Sequence, residues 1–135
     1  MYLNKLNAEQ KELFLNLGVF LTNADGVLNN EEEYIISQMC QEMSIEKKIN
    51  NDLGVEDIIE KLSLLSTEIE KKMIFIELVA IVMTDGLCNE DEMFFIKKIA
   101  TKFNISNNEI EQTIKNVSDL YHIYSNLNEF INKVV

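Results

Sequence analysis

Apolar residues recur along this chain at helical spacing, and the polar breaks between them divide it into segments of helix length. Leu13, Leu17, Phe20, Leu21 and Ala24 line one side of a helix predicted over about residues 8–24, capped by Asn7, with Glu9, Asn16 and Asn23 on the solvent side. A second helix, about 30–43, is predicted to bury Tyr34, Ile35, Met39 and Met43. Residues 47–54 are polar and read as a loop, followed by a short helix over about 55–65 with Ile58, Ile59, Leu62 and Leu65 inward. Thr67 and Glu70 form a capping box that opens a helix over about 68–84. That helix is apolar nearly all round, through Ile74, Phe75, Leu78, Val79, Ile81 and Val82, as expected of the buried axis of a bundle. Glu77 within it reads as part of a narrow polar stripe with Glu70 and Thr84 rather than as a buried functional acid. A helix over about 90–103 is predicted to bury Phe95, Ile96, Ile99 and Phe103 and to expose a small basic patch of Lys97, Lys98 and Lys102. Ser106 and Glu109 cap the last segment. Its stripe of Ile110, Ile114, Val117 and Tyr121 continues through Tyr124, Leu127, Ile131 and Val134, with Ser118 and Asp119 as a possible break into two helices. The expected fold is an all-α bundle of about six or seven helices, one domain spanning residues 1–135.

The pattern repeats. Shifted by 60 residues, the chain aligns with itself without a gap: Asp25 on Asp85, Gly26 on Gly86, Asn29 on Asn89 and Glu32 on Glu92. The register extends to Val19 on Val79, Ile36 on Ile96 and Ile45 on Ile105. Repeat 1 covers about residues 8–45, repeat 2 about 68–105, and residues 107–134 follow. A duplicated helix-loop-helix with an approximate two-fold relation is expected.

Each loop joins two helices. Gly26 and Gly86 stand just past an apolar helical run, where positive φ ends a helix at least cost. Asn29 and Asn89 fit as N-caps of the next helix, and Glu32 and Glu92 complete the capping boxes. On one reading these residues are capping only. On the other, Asp25, Glu32, Asp85 and Glu92 converge and bind a divalent cation. Two carboxylates about 6 Å apart repel by roughly 3 kcal/mol at an effective dielectric near 20. A helix N-terminus returns only about 0.3–1 kcal/mol per charge, so four converging acids call for a cation or a proton. Oxygen-only ligands favour calcium, magnesium or manganese over zinc. An EF-hand is excluded, because Leu21 in the first loop, and Ile81 and Met83 in the second, stand where a calcium loop needs oxygen ligands.

The duplicated pattern, Ala24-Asp25-Gly26 to Glu32 and Thr84-Asp85-Gly86 to Glu92, resembles the TerB-like domain of bacterial tellurite-resistance proteins, also found at the N-terminus of a membrane-anchored DnaJ-type co-chaperone. The resemblance covers at least residues 8–105. It implies a helical bundle, an acidic metal-binding face at Asp25, Glu32, Asp85 and Glu92, and a stress-response role with protein partners, in a complex associated with the membrane. Thr84 replaces the family's alanine, and Cys88 stands where a branched aliphatic is usual, so the second copy is the less typical.

Composition narrows the function classes. With 23 acidic against 12 basic side chains, the net charge is −11, which disfavours a nucleic-acid surface and unaided binding to anionic lipid. It favours cations or a basic partner. The opening residues read as a polar helix start rather than a signal peptide. The longest apolar run, 73–83, is too short to span a bilayer and contains Glu77. Cys40 reads as core-facing and Cys88 lies in the second loop, too few for a disulfide framework and consistent with a cytoplasmic chain. His122, the only histidine, has no ligand partner near it in sequence and reads as packing or surface. No nucleophile–base pair, phosphate loop or zinc spacing occurs, so an enzyme is not expected.

Overall fold

A computed structural model describes residues 1–22, 30–49, 52–84 and 88–133, without the side chains of residues 31 and 32. These form a short 3-10 turn, Leu3–Lys5, and six α-helices: α1 Ala8–Thr22, α2 Asn30–Met43, α3 Val55–Leu65, α4 Glu68–Val82, α5 Glu90–Lys102 and α6 Asn107–Asn132. No strand occurs among the described residues. The chain is all-α, as its periodicity predicts.

The repeat is visible in the backbone. Helices α1 and α4 both start and end 60 residues apart, and α2 and α5 start 60 apart. Corresponding ends use corresponding chemistry. At α1, Asn7 Oδ1 accepts from the Gln10 N–H at 2.8 Å, and Gln10 Oε1 accepts from the Asn7 N–H at 2.9 Å. At α4, Thr67 and Glu70 exchange the same two bonds. The Thr67 N–H holds the Glu70 carboxyl below its ordinary range, against a small opposing effect of burial. Past α2 and α5, Ser44 and Asn104 take left-handed φ of 56° and 57°. Each is followed by an isoleucine whose N–H reaches back five residues, Ile45 to Cys40 at 3.1 Å and Ile105 to Ala100 at 2.8 Å. This is the Schellman ending, in which a left-handed residue lets the chain satisfy the last helical carbonyls. Serine tolerates that region poorly, so Ser44→Gly is expected to stabilise the fold by about 0.5–1 kcal/mol, measured by urea unfolding.

Helices α1 and α4 pack together at the centre. Helices α2 and α3 flank α1, α5 and α6 flank α4, and α3 meets α5. A Lys98–Glu56 ion pair joins α5 to α3 at the surface. Phe14, Leu17, Ile74, Leu78 and Val79 are among the core residues sealed from solvent. Because helices flank α1 on several sides, six consecutive residues, Leu13 to Gly18, are buried. Asn16, expected outside, is therefore inside, its Nδ2 donating to the Glu12 carbonyl at 2.9 Å. Phe20, expected inside, lies on the last turn and is 43 % exposed. On α2 the inward line is Ile36, Met39, Cys40 and Met43, which leaves Tyr34 exposed and Ile35 half-buried. Leu65 is exposed at the end of α3, and Phe95 is half-buried. Ala24, Asn23 and Val134 lie outside the described residues. The last segment does not break: α6 runs straight through Ser118 and Asp119, with Lys115 and Asp119 paired at 3.0 Å one turn apart on its exposed side.

Candidate functional site

Of the residues singled out in the duplicated loops, Asn89 and Glu92 are described in full. Asn89 Oδ1 accepts from the Glu92 N–H at 2.8 Å, and Glu92 Oε1 accepts from the Asn89 N–H at 3.1 Å. The capping box expected there is formed. One carboxylate oxygen of Glu92 serves the cap, and a carboxylate has about four lone-pair sites in all. Glu32 lies in the first turn of α2. Its side chain, together with Asp25, Gly26, Asn29, Asp85 and Gly86, lies outside the described residues. Among the described residues no three His, Cys, Asp or Glu side chains gather as a metal cluster.

What the structure does place is the pair of helix ends from which the loops leave. A methyl group set on Gly18 would stand 3.7 Å from Ile81 Cδ1 and 2.6 Å from Met39 Cε. Gly18 lies in the last turn and a half of α1, and Ile81 is the penultimate residue of α4. The C-terminal ends of the two helices therefore approach each other, with α2 pressed against the same spot, and both loops start from one side of the bundle. Gly18 permits this close approach because it has no Cβ.

Beside these ends runs a groove of about 540 Å³ between α2 and α4, lined by Tyr34, Met39 and Glu42 on one wall and by Glu77, Ala80, Ile81 and Thr84 on the other. A second depression of about 790 Å³ shares Thr84 and Tyr121 and continues along α6. Glu77, one of two acids lining this groove, does not lie on a solvent stripe. Only 7 % exposed, it accepts from the Tyr2 N–H at 2.6 Å and stands 2.9 Å from the Met1 ammonium. Glu42 takes the same ammonium at 2.7 Å and the Leu3 N–H at 3.1 Å. Burial draws the ammonium pKa down, but the bonds to Glu42 and Glu77 outweigh it and hold the group above its ordinary value of 8.0. Tyr121 donates its hydroxyl to the Ala80 carbonyl at 2.6 Å, capping one of the carbonyls that α4 leaves free at its end. Burial, and then the charge of Glu77, push the Tyr121 phenol up, so it stays a donor.

Glu77 stands out in the sequence as the one charged residue of α4 after Lys72, but its burial does not. Nor does its partner, because that partner is the chain's own first residue rather than a basic side chain. Glu42 and Tyr121 carried no signal beyond helical phase. His122 is exposed, and Cys40 is buried with its thiol pushed up by burial against a weaker opposing pull from Lys47. Neither sits in the groove. No helix among the described residues is long and apolar enough to cross a membrane. Comparison with protein-family models, with curated proteins and with solved structures finds no match for the chain.

Proposed function

We propose that this chain is a non-catalytic helical module in which the two Asp-Gly loops hold one divalent cation between them, and that this end of the bundle is what a protein partner meets. The observation that supports the reading is the approach of α1 and α4 at Gly18 and Ile81, which starts both loops from the same place. Asp25 lies three residues past the end of α1 and Asp85 three past the end of α4. On this reading the two acids converge, and the cation offsets their repulsion. An all-oxygen donor set of Asp25, Asp85, Glu32 and the second carboxylate oxygen of Glu92 suits calcium, magnesium or manganese. The TerB-like resemblance points the same way and suggests a place in a membrane-associated stress-response complex. Thermal melting of EDTA-stripped protein with and without each cation is the test.

A second reading has its own support. The reciprocal cap of Asn89 and Glu92 recurs at Asn7 and Gln10, Thr67 and Glu70, and Ser106 and Glu109, three helix starts with no Asp-Gly loop before them. On that reading the motif is capping alone, and the module engages its partner without metal. Asn89→Ala then costs about 1 kcal/mol, as much as an aspartate substitution, and EDTA changes nothing.

A further inference from the structure

Beyond Tyr121, α6 leaves the bundle: every residue from 122 to 133 is exposed. This stretch is not polar. Ile123, Tyr124 and Leu127 are each a little over half exposed, and Phe130 and Ile131 about three-quarters. At about 100° per residue, these five lie within roughly 60° of Leu127 on either side, in one stripe. Leu120 lies in the same arc. The stripe is turned by roughly 110° from the line of Ile110, Ile114, Val117 and Tyr121 that faces the bundle, so it is a second apolar face and not an overhang of the first. His122, Ser125, Asn126 and Glu129 occupy the opposite arc, so the stripe itself carries no charge, in a chain of net charge −11.

We propose that this half of α6 pairs antiparallel with the same half of a second copy, across a two-fold axis through Leu127. The order of residues fits that operator. Three residues either side of Leu127 stand aromatic rings, Tyr124 and Phe130, and four either side stand isoleucines, Ile123 and Ile131. An isologous contact sets each residue against its mirror position, so Leu127 meets Leu127, ring meets ring and isoleucine meets isoleucine. The five side chains expose on the order of 600 Å² per copy, which approaches the roughly 800 Å² per partner of a stable interface. Burial of the half-exposed Leu120, in the same arc, adds to it. Two anionic copies can meet here without burying a charge, as the core of an interface requires. The helical overlap runs over residues 122–132, 11 residues or about 16 Å, so each bundle lies beyond the tip of the other's helix. This pairing is independent of whether the loops bind a cation.

Sedimentation equilibrium of the untagged chain is the test, over a concentration series rising from the micromolar range. A dimer is expected, with Leu127→Glu, which sets two carboxylates face to face on the axis, weakening it roughly 100-fold or more. The helix content of that variant should be unchanged, since residue 127 is solvent-exposed in the single copy. In a Cys88→Ser background, Leu127→Cys should form a disulfide-linked dimer on oxidation. Ile123→Cys should cross-link to Ile131→Cys when the two proteins are mixed, and poorly to itself. A chain that stays monomeric throughout, or a dimer indifferent to Leu127→Glu, overturns the proposal. So does a monomer that binds phosphatidylcholine vesicles through this stripe, which would assign the face to lipid.

Discussion

Phe14→Ala is expected to lower the unfolding free energy by about 3–5 kcal/mol, against a total of about 5–15 kcal/mol for a domain of ordinary stability. Phe14 is sealed from solvent at the middle of α1, the helix flanked by α2, α3 and α4. Truncation removes the transfer energy of the ring and leaves a void that walls drawn from several helices cannot close by the shift of one. Urea unfolding should show a lower midpoint with little change in slope. Phe94→Ala is the contrast. The same ring, 70 % exposed on α5, should cost no more than about 0.5 kcal/mol. Equal losses from the two would mean that α1 is not the centre of the core.

Glu77→Ala is expected to cost about 2–3 kcal/mol at neutral pH. It leaves the Tyr2 N–H without its acceptor, at about 1–3 kcal/mol, and opens a space in a tightly packed helix. The lost attraction to the ammonium adds less, because Met1 is half exposed and water screens the pair. The pH dependence follows from the sign of the ammonium shift. Its folded pKa is raised above 8.0, so the ion-pair stability is fully present below about pH 8 and is lost as pH rises through the higher folded value. Wild-type stability should therefore fall on the alkaline side of pH 8. Glu77→Gln, which keeps an acceptor for Tyr2 and removes a charge, should flatten that fall, and so should acetylation of the Met1 amine. An alkaline profile identical in wild type, Glu77→Gln and acetylated protein would show that the ammonium is not held as described.

Much of the architecture could be read from the sequence because its signals are local. Helix starts at Asn7, Thr67, Asn89 and Ser106 are chemically marked, and capping is a contest within four residues that tertiary packing seldom overrides. The 60-residue offset carried the equivalence of α1 with α4 and of α2 with α5, since equal patterns fold into equal elements. What failed was the choice of buried side. Phe20, Tyr34 and Leu65 were assigned inward by apolar character, but their exposure depends on where neighbouring helices end, which no local pattern records. Asn16 went the other way, because a helix flanked by several others buries polar positions too, and its amide finds a backbone carbonyl. Ser118 and Asp119 disfavour helix only weakly, and a continuous run held at Val117 and paired at Asp119 outweighs them. At the candidate site, the Asn89–Glu92 cap was read correctly, whereas the groove acids Glu77 and Glu42 were missed as a pair because a main-chain ammonium joins them.

The most direct test of the paired-loop reading is thermal melting of EDTA-stripped protein against millimolar calcium, magnesium, manganese and zinc, repeated with Asp25→Asn and Asp85→Asn. At about 100 times the dissociation constant, one bound cation stabilises by about 2.7 kcal/mol, a shift of several degrees for a domain of this size. The expected result is such a shift with an oxygen-preferring cation, lost in both variants while their helix content stays intact. No shift with any cation, with Asp25→Asn and Asn89→Ala destabilising the protein alike, would contradict it and leave the two loops as helix caps.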